Sequence, residues 1–229
     1  MLSIFDVTGP VMIGPSSSHT AGAARLARVA RRLAGRPFTH VTFGLHGSFY
    51  DTYLGHGTDL ALLAGALGYR EDDEALRDAK ALAAAAGVTY CFHQHDLMDY
   101  HENSVEITFH FPDGEPFPVI GSSVGGGQIM IRRVNGMEVE FSANLPTLLV
   151  CHQDKPGMIS EISSVLSAAG LNIGLMRYTR RARGCIACAV VEMDDPVSPE
   201  LVAKIAALPD VSSAQAVDLG DKEDRCHAI

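Results

Sequence analysis

From Leu148 to Leu219 the chain alternates two hydrophobic spacings in a fixed order, and that order limits its fold more than any other feature. Leu148–Val150 is a short apolar strand, followed by the turn residues Asp154-Lys155-Pro156-Gly157. Ile159, Ile162, Val165 and Leu166 then recur at helical spacing and share one face, up to Gly170. Strand patterns follow at about 171–179 and at 185–193, separated by a turn through Arg181–Gly184. Ser198 is placed to cap a helix over Pro199–Leu208, and Val211–Leu219 closes the segment as a strand. The order is β-α-β-β-α-β. A short polar stretch ending in proline, Ser142-Ala143-Asn144-Leu145-Pro146, separates it from what precedes.

The residues before this boundary predict a mixed α/β domain over 1–144. Ser16–Ser18 can cap a helix over Thr20–Ala34, with Leu26, Val29, Ala30 and Leu33 on one face and Arg25, Arg28 and Arg32 on another. Val41, Phe43 and Leu45 alternate as a strand. Thr58–Leu67 is apolar all round and reads as a buried helix, and Asp73–Ala86 as a more exposed one. Val88–Phe92 and Val105–Phe111 are strand-like, and Gln128–Phe141 is a hairpin about Asn135-Gly136. Gly121–Gly127, GSSVGGG, reads as a flexible loop. The expected class is α+β, with 147–219 in ferredoxin-like order and a frayed polar tail over 220–229.

Composition narrows the function. Eighteen basic against 27 acidic residues leave a net charge of −9, which disfavours nucleic acid and anionic membrane as partners. No apolar run reaches the length of a membrane span, and the first residues, MLSIFDVTG, do not read as a signal peptide. A soluble, cytoplasmic protein is expected. The five cysteines are scattered and odd in number, which suits free thiols. Cys185 and Cys188 form a CxxC, but in a strand they point to opposite faces and no second pair completes a zinc set, so packing accounts for them better.

Eight of the ten histidines precede residue 115, and six of these fall in three clusters. GPSSSHT (14–20) opens a helix. One serine there is explained as an N-cap, while stacked hydroxyls and N–H groups also describe a carboxylate cradle. GLHGSFYDTYLGHGTD (44–59) sets His46, Asp51, His56 and Asp59 among four glycines, as a turn-rich loop or as a loop closing on a small molecule. CFHQHDLMDYHENS (91–104) carries His93, His95, His101, Glu102 and Asn103, and a solvated strand edge explains His93 and His95. One HxH without a third spaced ligand is weak support for zinc, and GxSxG is absent.

Two resemblances add to this reading. The DKPGM and GLNI segments within the C-terminal order resemble the ACT domain, a small regulatory module that often binds amino acids. It implies either an amino-acid site at the helix start, with Asp154 in the turn and free N–H groups on Gly157 and Met158, or a sheet that only pairs subunits, as in a homodimer. Across the whole chain, FDVTGPVMIGPSSSHTAGAARLA, LHGSFYDTYLGHGTD, DYHENSVEI and VGGGQIMI resemble the β subunit of iron–sulfur-dependent L-serine dehydratase in its two-subunit form. The N-terminal part also resembles the allosteric substrate-binding domain of some phosphoglycerate dehydrogenases. The dehydratase resemblance implies deamination of L-serine to pyruvate and ammonia, with a [4Fe–4S] cluster ligated by a partner α subunit and no metal ligand in this chain. It implies functional roles for His19, His56 and His101, with His56 or His19 as base or its partner. Ser16, Ser17, Ser18 and Thr20 would contact the substrate carboxylate or hydroxyl, Asn103 would position it, and Gly125–Gly127 would let backbone close on substrate or α subunit. The alternatives are a non-catalytic, serine-binding regulatory subunit and a stand-alone amino-acid sensor.

Overall fold

A computed structural model describes residues 11–220, so the signal-peptide reading of the first nine residues and most of the polar tail lie outside the described residues. The chain divides into two compact units at Ser142/Ala143. The first is built on a six-stranded sheet, β1 (His40–Leu45), β2 (Thr89–Gln94), β3 (Ser104–His110), β4 (Phe117–Gly125), β5 (Gln128–Val134) and β6 (Met137–Phe141), in the order β2-β1-β3-β4-β5-β6. Only β1 and β2 run parallel, joined by a helical crossover, and the other neighbours are antiparallel.

That crossover contains α2 (Ser48–Thr52), α3 (Thr58–Leu67), a 3₁₀ turn at Glu74–Asp78 and α4 (Ala79–Ala85). Before β1 comes α1 (Ala23–Ala34), which packs on α3 and on β3–β5. The sequence of α3 leaves it no polar face, and it is buried at eight of its ten residues. α1 is strongly amphipathic, with Leu26, Val29, Ala30 and Leu33 fully buried as expected. Arg28 departs from the expected polar face: it is buried and ion-paired to buried Glu71 at 2.8 Å. Charge pairing explains how an arginine can leave water on this helix.

GSSVGGG is not a flexible loop. Gly121–Gly125 completes β4, and Gly126-Gly127, with φ of 60° and 76°, forms a two-residue hairpin turn into β5. The small residues serve close packing instead. A Cβ on Gly121 would come within 2.5 Å of Leu26 on α1, and one on Gly22 would collide with the Ser123 hydroxyl. The Asn135-Gly136 hairpin forms as read, both residues at positive φ (48° and 77°) between paired Val134 and Met137.

The second unit is a four-stranded antiparallel sheet of β7 (Thr147–Gln153), β8 (Ile173–Arg180), β9 (Ile186–Met193) and β10 (Val211–Val217), ordered β10-β7-β9-β8. With α5 (Met158–Ala168) and α6 (Pro199–Ala206) it is ferredoxin-like, an ACT-like arrangement. Leu148, Val150, Ala189 and Val191 meet Ile162, Leu166 and Ile205 in its core. Ile159 is 46% exposed, because Met158 takes the buried position one turn before Ile162. Ser198 caps α6 through a 3.2 Å bond from the Leu201 N–H. Among the described residues no helix is long and apolar enough to cross a membrane.

Candidate active site

Ser16 is extended (φ −139°, ψ 125°), and its Oγ accepts the His19 N–H at 3.1 Å, so it is the serine that caps the turn. The turn it opens, Ser17–Gly22, is π-helical rather than α-helical, and the N–H groups of Thr20 and Ala21 both reach the Ser16 carbonyl, at 2.9 and 3.3 Å. Ser18 Oγ lies 3.3 Å from Ser16 Oγ and 2.9 Å from His19 Nδ1. On the other side of the ring, His19 Nε2 is 3.1 Å from Ser48 Oγ at the start of α2. Both nitrogens of a buried imidazole are therefore held by hydroxyls. Because a hydroxyl can donate or accept, either neutral tautomer fits this setting.

The His19 ring stands edge-on to Phe49 at 5.3 Å and to His56 at 4.9 Å. Thr20 fixes the second histidine from the backbone side, its hydroxyl donating to the His56 carbonyl at 3.1 Å. That bond uses the Thr20 hydroxyl proton and leaves its oxygen able to accept. Burial, then the neighbouring His56, hold the His19 imidazole below its ordinary value, while the bond to Ser48 and the Glu102 carboxylate oppose the shift. His19 is consequently neutral at pH 7, the state in which an imidazole can accept a proton.

The third cluster arrives on β3. The Asn103 carbonyl accepts the Ser123 N–H at 2.9 Å, and Ser123 Oγ donates to the Ser18 carbonyl at 2.9 Å, tying HENS to SSSHT through β4. Gly47 (φ 52°) brings the start of α2 onto the Glu102 backbone, where a Cβ would lie 2.8 Å from the Glu102 carbonyl oxygen. His56 Nδ1, Thr58 Oγ1 and Asn103 Oδ1 are buried without a hydrogen-bond partner. Unpaired buried polar atoms are costly, and three of them on the GHGT and HENS segments suit a site completed by a polar ligand.

His101 opens the HENS segment that leads into β3. Its ring is exposed, and Nδ1 accepts the Asn103 N–H at 3.1 Å, which shapes its own loop. Ser17 is half-buried in the π turn. The sequence reading missed Ser48, Phe49 and Ser123. Ser48 and Phe49 lay within a motif already singled out, whereas Ser123 of β4 was hidden by the glycines after it. Among the described residues, no group of three or more His, Cys, Asp or Glu side chains could hold a metal ion.

In the second unit the DKPGM turn looks inward. Asp154 accepts from Tyr178 Oη (3.1 Å), Arg180 Nη1 (3.0 Å) and the Gly184 N–H (2.9 Å), so its carboxylate ties the β7–α5 turn to the β8–β9 hairpin. Met158 is buried, and Gly157 (φ 97°) is the exposed residue of the three.

A buried His19 imidazole held by hydroxyls on both nitrogens, edge-on to His56 and next to buried polar atoms without partners, is an arrangement able to take a proton and to bind a small polar molecule, in a protein with a second, ferredoxin-like unit. Residues 3–133 match the family described as Serine dehydratase beta chain. The chain is 41% identical to the L-serine dehydratase β chain of Peptoniphilus asaccharolyticus, over 95% of this chain and 98% of that one. It is also 41% identical to the probable L-serine dehydratase β chain of Bacillus subtilis, over 91% and 94%. A D-3-phosphoglycerate dehydrogenase of Mycobacterium tuberculosis is 29% identical over 65% of this chain and 28% of its own length. Among solved structures, the ACT domain of a Chlorobium tepidum GTP pyrophosphokinase covers 31% of this chain and 95% of its own, at 19% identity and a TM-score of 0.27. The chain belongs to the serine dehydratase β-chain family.

Proposed function

We propose that the chain is the β subunit of an L-serine dehydratase that converts L-serine to pyruvate and ammonia together with an α subunit, and that residues 16–20, 48, 56 and 103 form one wall of the serine site. The observation that carries this reading is the His19–His56 pair, 4.9 Å ring to ring, with His19 buried and held by hydroxyls on both ring nitrogens. The Cα–H of serine is a weak acid, so its removal needs a base fixed in position and a carboxylate whose charge is compensated. In this reading Ser16, Ser17 and Ser18 face the carboxylate, the Asn103 amide positions the substrate, and one histidine of the pair takes the proton. The two imidazoles work as a unit, because charge on one disfavours charge on the other.

The family resemblance assigns a [4Fe–4S] cluster to the α subunit, where it would supply a Lewis acid for the departing β-hydroxyl. The described cysteines here offer no cluster ligand set: Cys91 and Cys185 are exposed on different units, and Cys151 lies opposite Cys188. No step assigned to this chain runs through the cluster. A homodimer through the C-terminal sheet would use its edge strands, β8 and β10.

One observation favours a second reading, a serine-binding regulatory subunit: about two thirds of the chain aligns with an enzyme named for a different reaction. Anaerobic co-expression with the α chain separates the two. Serine-dependent pyruvate formation by the complex, absent from either chain alone, is expected. If His19→Ala and His56→Ala change serine affinity or activation but leave maximal turnover intact, the regulatory reading replaces the catalytic one.

A further inference from the structure

On the sheet face of the second unit opposite α5 and α6, Cys151 of β7 stands directly across from Cys188 of β9. The pairing is regular, and two bonds at its ends set its phase: Met193 N–H to the Pro146 carbonyl at 2.9 Å and Asp154 N–H to the Cys185 carbonyl at 2.7 Å. Hydrogen-bonded pairs therefore fall at Pro146, Leu148, Val150, His152 and Asp154, and Cys151 with Cys188 occupies a non-hydrogen-bonded position between them. Such pairs have Cα atoms about 4.5 Å apart and side chains on the same face. That separation lies inside the range of roughly 4.4–6.8 Å that a disulfide spans.

Cys151 is flanked on both sides in the sheet, by Cys188 on β9 and by Ser213 on β10. Cys188 is fully buried and Cys151 half-buried, so an oxidant from solvent meets Cys151 first.

We propose that Cys151 and Cys188 form a peroxide-sensitive thiol pair in which Cys151 is the attacking sulfur and Cys188 the resolving one. The Cys151 thiolate attacks one oxygen of hydrogen peroxide, the O–O bond breaks, and hydroxide leaves as Cys151 becomes a sulfenic acid. The Cys188 sulfur then attacks the sulfenic sulfur, and water leaves with the Cys188 proton. Overall two thiols are oxidised to one disulfide, and one peroxide is reduced to two waters. The neighbouring Cys188, and to a lesser degree Ser213, support the first step by drawing the Cys151 thiol down to about 7. The same contact, together with burial, pushes Cys188 upward, so it holds its proton until the sulfenic acid forms. The neighbouring CxxC is not the reactive unit, since Cys185 precedes β9 and is exposed.

Treating the reduced full-length chain with stoichiometric hydrogen peroxide and mapping its peptides tests this. Expected are a loss of about 2 Da and a cross-link joining the Cys151 and Cys188 peptides. The rate should fall about tenfold from pH 8 to pH 6, following the thiolate fraction of Cys151. Cys188→Ser should stop the reaction at a Cys151 sulfenic acid that dimedone traps, and Cys151→Ser should leave Cys188 unmodified. A cross-link through Cys91, Cys185 or Cys226 with this pair untouched overturns the proposal. So does irreversible oxidation of Cys151 while Cys188 is present. The wild-type map decides the matter even where a variant folds poorly.

Discussion

Each unit has a short polar turn that opens a helix, and the two turns do opposite things with their polar groups. In Asp154–Met158 the carboxylate has three partners within its own unit and the next apolar residue enters the core, so the turn is internally complete. In Ser16–Thr20 the hydroxyls converge on His19, beside a second histidine whose Nδ1 has no partner. A helix start by itself says little about ligand binding. What distinguishes the two is whether the surrounding elements satisfy the polar atoms or leave some of them unpaired.

The largest expected effect tests that contrast directly. In the assembled enzyme, His19→Ala or His56→Ala should lower turnover by about 10²–10⁴-fold, the range for losing a general acid or base. The double variant should cost little more than the worse single one if the pair acts as a unit. Steady-state kinetics of pyruvate formation measures both.

Gly22→Ala probes how the π turn is seated. The added methyl would meet Ser123 Oγ, which itself donates to the Ser18 carbonyl. A loss of about 1–3 kcal/mol is expected from such overpacking, read as a lowered denaturant midpoint. Turnover should fall with it, because the same contact positions Ser18 beside His19.

How far these features could be read from the sequence depended on how local they are. The β-α-β-β-α-β order and the Asn135-Gly136 turn follow from periodicity and turn chemistry within a few residues. The pairing of His19 with His56 could be suspected from two motifs, but the agents that orient it, Ser48 and Ser123, act across 29 and 105 residues of sequence. Gly121-Ser122-Ser123 misled for the same reason: small residues mark flexibility or close packing, and only the partner helix distinguishes them. Arg28 likewise looked like a solvated face because Glu71, its partner, sits on a distant turn.

A smaller effect concerns pH. His19 is held below the ordinary imidazole value of about 6.5 by burial and by His56, so its titration, followed by imidazole NMR, should have its midpoint below that value. His56→Asn removes a repelling charge and should move the midpoint up. Because the unfolded chain binds this proton more readily, His19 lowers folding stability as pH falls through its unfolded value and has no effect above it.

The smallest effect on catalysis, and the sharpest test of the contrast, is Asp154→Asn. Asp154 is held below the usual carboxylate range first by the Gly184 N–H, then by Tyr178 and Arg180. Its contribution to stability is therefore present above its unfolded value, about 3.9, and is lost as pH falls through the depressed folded one. The amide variant keeps the shape but loses the charge that Arg180 pairs with. Hydrogen exchange at Gly184 should quicken several-fold at neutral pH, since that amide loses a charged acceptor. Turnover and serine affinity of the complex should stay within about twofold, because every partner of Asp154 lies in its own unit. A larger change in either would mean that the second turn also reports to a ligand, and the distinction between an internally complete turn and an open one would no longer hold.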